Sequence, residues 1–147
     1  MQVARNDHRQ LWLLSGTGEG PGLASALIKC GWQVSVSVVT RDAATVYEEL
    51  PLAALWIGPL VGVEGICRVL QEQRRQGEGF AWVVDATHPF AMVIRANLQR
   101  SCQKSSQPLI RFERPMESTA HQRLISSAGD LSRLDLGGSR LLLAIGA

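Results

Sequence analysis

The sequence predicts an α/β protein whose core is a doubly wound, Rossmann-like parallel sheet. Short apolar runs rich in β-branched residues alternate along the chain with segments whose apolar residues recur at helical spacing. Glycine, proline and small polar residues separate the two kinds of segment. Consecutive parallel strands need a crossover between them, so this alternation favours one sheet with helices on both faces.

Local signals support each element in order. The predicted strands are residues 11–15, 33–39, 54–57, 80–84 and 108–112, and the predicted helices are residues 23–30, 44–50, 63–76 and 92–103. Gly31 ends the first helix, and Pro51 follows the second. Ile66 and Leu70 mark the apolar face of the third helix, and Leu98 lies on that of the fourth.

The chain is predicted to contain one domain and the beginning of another. Residues 8–115 form the predicted nucleotide-binding domain, and residues 116–147 a polar linker followed by the first strand of an incomplete second domain. That strand begins at Arg140 and includes Leu141. An unpaired strand edge invites pairing with another chain, so we expect the C-terminal strand to support self-association.

Composition excludes several classes of partner. Fifteen Lys and Arg against thirteen Asp and Glu give a formal net charge of +2, too small to indicate nucleic acid but compatible with an anionic ligand. No apolar run approaches the roughly 18 residues of a membrane span, and residues 1–10 do not resemble a signal peptide. We therefore expect a cytoplasmic protein that binds neither nucleic acid nor membrane.

The cysteines indicate neither a disulfide framework nor a metal site. Cys30, Cys67 and Cys102 are odd in number and far apart, and each falls in a predicted helix. No histidine lies near them in the sequence, so a nucleophilic role is not favoured. We expect all three to be small buried apolar residues and predict no bound metal.

A glycine-rich loop follows the first strand and is the predicted cofactor site. Its residues are Gly16, Thr17, Gly18, Glu19 and Gly20. Glycines allow close approach of a ligand, Pro21 can open the next helix, and a helix N-terminus favours phosphate. The loop is not a strict G-x-G-x-x-G pattern. The alternative is a simple glycine turn in which Glu19 complements the helix dipole.

Arg41 favours NADPH over NADH as the cofactor. It follows the second strand, where NAD sites present an acid and NADP sites tend to present an arginine for the 2′-phosphate. Asp42 comes directly after it and weakens this interpretation slightly. The alternative is an exposed loop arginine without a ligand.

The segment Asp85-Ala-Thr-His-Pro-Phe-Ala follows the fourth predicted strand, where open α/β sheets bind their ligands. His88 is the natural candidate for a catalytic acid, with Asp85 as the second catalytic candidate and Thr87 and Pro89 as substrate contacts. Pro89 has the backbone angle of a first helical position. The alternative is structural: His88 or Thr87 caps that helix, and Asp85 holds the loop amides.

Two arginines follow the fifth strand at the same edge. Arg111 and Arg114 carry forked donors that match carboxylates, which makes them candidate substrate-binding residues. The alternative is a surface ion pair of Arg111 with Glu113, which would contribute little energy.

Four segments together resemble one enzyme family. They are Leu-Leu-Ser-Gly-Thr-Gly-Glu after the first strand, Gly-Val-Glu-Gly at 62–65, Asp-Ala-Thr-His-Pro-Phe-Ala at 85–91 and Arg-Phe-Glu-Arg-Pro at 111–115. In order and spacing they resemble the precorrin-6A reductase family of the cobalamin pathway. The resemblance covers residues 11–115 and is fainter at 140–146. Ser15 departs from it, because the family has a second glycine there, and so do Pro21 and Gly22.

The resemblance implies NADPH-dependent reduction of one double bond in an anionic, carboxylate-rich tetrapyrrole. It implies that the glycine loop holds the cofactor and that residues 85–90 and 111–114 face the macrocycle. The family folds as two Rossmann-like halves, of which this chain carries the first, so we expect weak NADPH binding and little reduction by the chain alone. Two rival interpretations stay open: a non-catalytic dinucleotide-binding module, and a structural fragment that needs a partner half.

Overall fold

The computed structural model describes residues 9–113, 128–131, 133, 135, 137 and 138. The chain divides into two compact units, Met1–Arg114 and Pro115–Ala147. Arg114 and the strand predicted at residues 140–146 lie outside the described residues, as does the pairing expected of that strand. The second unit contributes one described helix, Ala128–Leu131.

The first unit is a parallel sheet wrapped by helices, and it confirms the predicted fold class. The strands are β1 Gln10–Ser15, β2 Gln33–Val38, β3 Ala54–Ile57, β4 Trp82–Ala86 and β5 Leu109–Arg111. The helices of this unit are α1 Gly20–Lys29, α2 Arg41–Thr45, α3 Gly62–Arg75 and α4 Met92–Lys104, and the helix of the second unit is α5. The strand order is β3-β2-β1-β4-β5, with every pairing parallel. The direction of winding reverses between β1 and β4, the place where such sheets bind ligands.

The core has two layers because successive side chains of a strand point to opposite faces of the sheet. Leu11 and Leu13 of β1 pack into one cluster with residues of α1 and the segment around α2. Trp12 and Leu14 pack into a second cluster with residues of α3 and α4. Both faces of β1 are buried, as the continuous apolar run predicts.

The second helix begins earlier than predicted. The expected span of 44–50 is wrong, because α2 begins at Arg41 and ends at Thr45. The Thr40 side chain accepts a hydrogen bond from the Ala43 amide at 3.2 Å and so caps the N-terminus. This capping chemistry fixes the start of α2 more strongly than the apolar pattern that suggested residue 44.

The fourth strand is displaced toward the C-terminus relative to its prediction. It ends at Ala86 rather than at residue 84, so Asp85 belongs to the strand and lies in register with Leu14 of β1 and Arg111 of β5. Helix α4 begins at Met92, so the expectation that Pro89 opens this helix is also wrong. Strands on both sides of β4 continue its hydrogen bonding past the expected end, which the local pattern cannot indicate.

The cysteines are only partly as expected. Cys102 is buried and Cys67 is half-buried, but Cys30 is exposed at the end of α1, which contradicts the prediction of burial. Burial raises the pKa of the Cys102 thiol to about 11, with Cys67 and Asp85 adding to the shift, so this thiol is protonated at neutral pH. In the described part of the chain no group of side chains suits a metal ion. Among those residues, likewise, every helix is too short or too polar to cross a membrane.

Candidate active site at the carboxyl edge of the sheet

A cleft of about 480 Å³ lies at the C-terminal ends of β1, β4 and β5, beside the loops that follow these strands. It is lined by Gly16, Thr17, Gly18, Glu19, Ala86, Thr87, His88, Pro89, Arg111, Phe112 and Glu113. The fold therefore brings together eight of the residues predicted from sequence. Gly20, Arg41 and Asp85 are described but are not among the lining residues.

The loops after β1 and β4 touch at Gly16. Its amide donates to the Ala86 carbonyl at 3.2 Å. A Cβ on Gly16 would lie 3.2 Å from the backbone nitrogen of His88 and 3.3 Å from Thr87 Cα. A side chain here would push the two loops apart. Gly18 is different, because a Cβ there would meet nothing within 4 Å. It leaves open space beside the cleft.

The glycine loop has backbone donors that are not used within the described part of the protein. In the described part of the chain, the amides of Thr17 and Gly18 have no hydrogen-bond acceptor. The Gly20 amide donates to the Thr17 carbonyl at 3.2 Å, and Pro21 lies in the first turn of α1, as predicted. Free amides beside the N-terminus of a ten-residue helix suit an anion.

Gly20 has a packing role that the sequence did not indicate. It is buried, and a Cβ there would lie 1.9 Å from the Ser15 hydroxyl and 2.1 Å from the Tyr47 hydroxyl. The Tyr47 hydroxyl donates to Ser15 Oγ at 2.6 Å, and both side chains are buried. The packing of these two side chains, rather than a ligand, therefore requires glycine at position 20.

Asp85 is buried in β4, and both of its carboxylate oxygens accept hydrogen bonds. Oδ2 accepts a hydrogen bond from Arg111 Nη1 at 2.6 Å. Oδ1 accepts from the Thr87 hydroxyl at 2.7 Å and from the Thr87 amide at 3.0 Å. Only 2% of the Asp85 side chain is exposed, so this carboxylate holds Arg111 and the loop after β4 in place.

Arg111 is shared between two carboxylates. Its Nε donates to Glu113 Oε1 at 2.6 Å, which is the ion pair that the sequence offered as an alternative. Burial acts to lower the pKa of Arg111, but the bonds to Glu113 and Asp85 outweigh it, and the pKa lies above its ordinary value. The guanidinium is permanently charged. Arg95 of α4 also reaches Glu113, at 3.5 Å, so two arginines converge on one exposed carboxylate.

His88 is exposed at the cleft, and its ring orientation is fixed by Phe90. The Phe90 amide donates to His88 Nδ1 at 3.2 Å, and the two rings lie 5.3 Å apart. A proton on Nδ1 would exclude this bond, so the ring that keeps it carries its proton on Nε2. In this arrangement Nε2 is the hydrogen-bond donor of the ring. The Phe90 side chain itself is 86% exposed.

Sequence reasoning missed a second cavity, of about 340 Å³, on the other side of the contact between Gly16 and the β4 loop. It is mostly apolar and is lined by Leu14, Ser15, Gly16, Ser37, Val38, Val39, Gly58, Pro59, Leu60, Thr87, His88, Ala91 and Ile94. Gly58-Pro59 after β3 was the available signal. Arg41 is exposed two residues beyond Val39, at the same edge of the sheet.

Known proteins match this chain in sequence and in fold. The family described as "Precorrin-6x reductase CbiJ/CobK" matches residues 10–147. The chain belongs to this family. The precorrin-6A reductase of Rhodobacter capsulatus is 34% identical over 141 residues, covering 93% of this chain and 53% of that protein. The cobalt-precorrin-6A reductase of Synechocystis sp. is 31% identical over 144 residues, covering 93% and 52%.

A solved structure of the family supports the fold. The structure titled "CobK precorrin-6A reductase" superposes with a TM-score of 0.60 at 30% identity, covering 87% of this chain and 48% of that one. The chain therefore spans about half the length of the family relatives that it matches.

Proposed function

We propose that this chain is the nucleotide-binding half of an NADPH-dependent precorrin-6A or cobalt-precorrin-6A reductase of cobalamin biosynthesis. The observation that carries the proposal is the cleft, which joins a glycine loop with free amides to an arginine fixed by a buried carboxylate. The names of the family relatives, precorrin-6A reductase and cobalt-precorrin-6A reductase, supply the substrate class. The chain spans about half the length of those relatives. We propose that its cleft supplies one wall of the site and that it supports little turnover by itself.

The arrangement suits a dinucleotide laid across the carboxyl edge. The amides of Thr17 and Gly18 would donate to the phosphates, and Gly18 leaves room for them. The apolar second cavity would hold the adenine base. Val39 lines that cavity, and Arg41 follows it closely enough in the chain to serve the 2′-phosphate of NADPH. Glu19 would contact a ribose hydroxyl or the tetrapyrrole.

The β4 and β5 side of the cleft suits an anionic tetrapyrrole. Arg111 would bind a substrate carboxylate, with Thr87 and Pro89 forming the wall beside it, and Arg114 would add a second cation. Asp85 is assigned as the positioning residue for Arg111, because its oxygens are already used by Arg111 and Thr87.

Bound NADPH supplies a hydride to one carbon of the substrate, and a proton must reach another atom. His88 is assigned as the catalytic residue that contacts this second atom, through a hydrogen bond donated by Nε2. The bond from the Phe90 amide to Nδ1 keeps Nε2 directed away from the loop.

Nucleotide titration of the purified chain tests the cofactor assignment. Arg41→Ala is expected to weaken NADPH binding by roughly tenfold to a hundredfold while NADH affinity stays constant, since a charged hydrogen bond contributes about 1.5–3 kcal/mol. Fluorescence or calorimetric titration measures both affinities. Arg75→Ala is the control, because Arg75 is also exposed but lies at the far end of α3.

Each other result of the titration has a distinct meaning. Failure of the wild-type chain to bind either nucleotide overturns the cofactor assignment. An unchanged preference for NADPH in Arg41→Ala overturns the role of Arg41 alone. NADPH binding without any response to a carboxylate-rich tetrapyrrole would favour the rival interpretation, a non-catalytic dinucleotide-binding module.

A further inference from the structure

The loop Gly16 to Gly20 is closed at its base by one buried pair of hydroxyls. Ser15 is the last residue of β1 and Gly20 is the first of α1, so the two residues flank the loop. The Tyr47 hydroxyl reaches between them, since it bonds to Ser15 Oγ at 2.6 Å and fills the space that a Gly20 side chain would need. The same hydroxyl thus contacts both ends of the loop.

Tyr47 is itself held by the segment that contains Arg41. Its amide donates to the Ala44 carbonyl at 2.9 Å, within the turn that ends α2, and the Leu50 amide donates to the Tyr47 carbonyl at 3.0 Å. Tyr47 is 2% exposed, and its ring packs in the same core cluster as Ala44 and α1. Through this side chain the α2 segment is fixed to the glycine loop.

The hydroxyl is the protonated donor at neutral pH. Burial raises the pKa of Tyr47, although the bond to Ser15 acts in the opposite direction. Because Ser15 Oγ accepts from Tyr47, the Ser15 proton is free to be donated elsewhere. Ser15 lines the second cavity beside Gly16.

We propose that Tyr47 is a positioning residue that fixes the shape of the glycine loop through Ser15 and couples it to the α2 segment, so that nucleotide binds a preformed loop. The nucleotide part of this inference rests on the proposed function. A loop that is ordered before binding costs less conformational entropy when the ligand arrives. The hydroxyl pair therefore strengthens binding without touching the phosphates.

Tyr47→Phe keeps the ring and removes the hydroxyl, and it tests the inference in two ways. NADPH affinity is expected to fall roughly threefold to tenfold, the effect of one neutral hydrogen bond. Ser15→Ala should have the same effect, and the double variant should be no worse than either single variant. Amide hydrogen exchange should also accelerate at Gly16 and Gly20, whose amides bond to Ala86 and Thr17 in the closed loop.

Ser101→Ala is the matched control. Ser101 is fully buried, and its hydroxyl donates to the Asn97 and Val63 carbonyls between α3 and α4, away from the loop. It should reduce the free energy of unfolding without changing NADPH affinity or exchange at Gly16 and Gly20.

Two results would overturn the inference: unchanged exchange at both glycine amides in Tyr47→Phe, or the same loss of affinity in Ser101→Ala. If wild type does not bind NADPH, the proposed cofactor fails, and the exchange data alone decide whether Tyr47 holds the loop. Accelerated exchange in that case still supports the positioning role.

Discussion

The two sides of the carboxyl edge are held together by different chemistry. On the β1 side, the hydroxyl brace of Ser15 and Tyr47 packs against Gly20 without any charge. On the β4 and β5 side, Asp85 and Arg111 form a buried ion pair that extends to the exposed Glu113. The loops above these two sides meet at Gly16 and line one cleft.

The difference indicates how each side contributes to binding. Neutral hydroxyls in a packed layer fix backbone shape, which suits the role proposed above for the glycine loop in binding phosphate. A buried ion pair is costly to desolvate, but it fixes the charged guanidinium that is proposed above to bind an anionic substrate. We therefore expect damage to the ionic side to be the more destabilising, and damage to the brace to depend on steric fit.

Asp85→Ala should have the largest effect on stability. It leaves the mostly buried Arg111 charge without its buried partner and removes the acceptor of the Thr87 amide, so we expect a loss of about 3 kcal/mol in the free energy of unfolding. Urea denaturation measures this loss. A paired replacement, Asp85→Leu with Arg111→Met, removes both charges and should recover most of the stability. A loss below about 1 kcal/mol in Asp85→Ala would contradict the buried pair.

Gly20→Ala should destabilise the β1 side of the carboxyl edge, where Ser15 and Tyr47 pack against Gly20. The added methyl would overlap the hydroxyls of Ser15 and Tyr47, and overpacking of this kind typically costs about 1–3 kcal/mol. Gly22→Ala is the control in the same helix, because a Cβ there meets nothing within 4 Å and alanine favours a helix. Denaturation curves of the two variants should therefore move in opposite directions. Equal shifts would mean that the brace does not restrict Gly20.

The sequence predicted the cleft better than the contacts that hold it. Hydrophobic periodicity was sufficient to place the glycine loop, His88 and Arg111 at the ends of parallel strands, and parallel strands bring their carboxyl ends to one edge. It could not pair Asp85 with Arg111, because that register exists only once β4 and β5 are neighbours.

Tyr47 shows the same limit more sharply. It lies 32 positions from Ser15 in a segment predicted as plain helix, and no local pattern joins a tyrosine to a distant serine. Gly20 was predicted to make room for phosphate because glycine is required both for ligand approach and for close packing. Only the neighbouring side chains distinguish the two uses.

Glu113→Gln should have the smallest effect, and it tests whether the β4 and β5 side of the cleft binds the substrate. Glu113 occupies Arg111 Nε and contacts Arg95, although its side chain is 58% exposed, so it competes with any ligand carboxylate for these arginines. Removing its charge should tighten binding of uroporphyrin, a carboxylate-rich tetrapyrrole, roughly twofold to fivefold, the scale of an exposed ion pair. Absorbance titration at fixed ionic strength measures the change, and NADPH affinity should stay constant.

Glu72→Gln is the matched control, since Glu72 is 52% exposed and pairs with Arg75 on α3. Equal tightening in both variants would mean that the change in net charge alone causes the effect. Weaker binding in Glu113→Gln would contradict the proposal that Arg111 binds the tetrapyrrole.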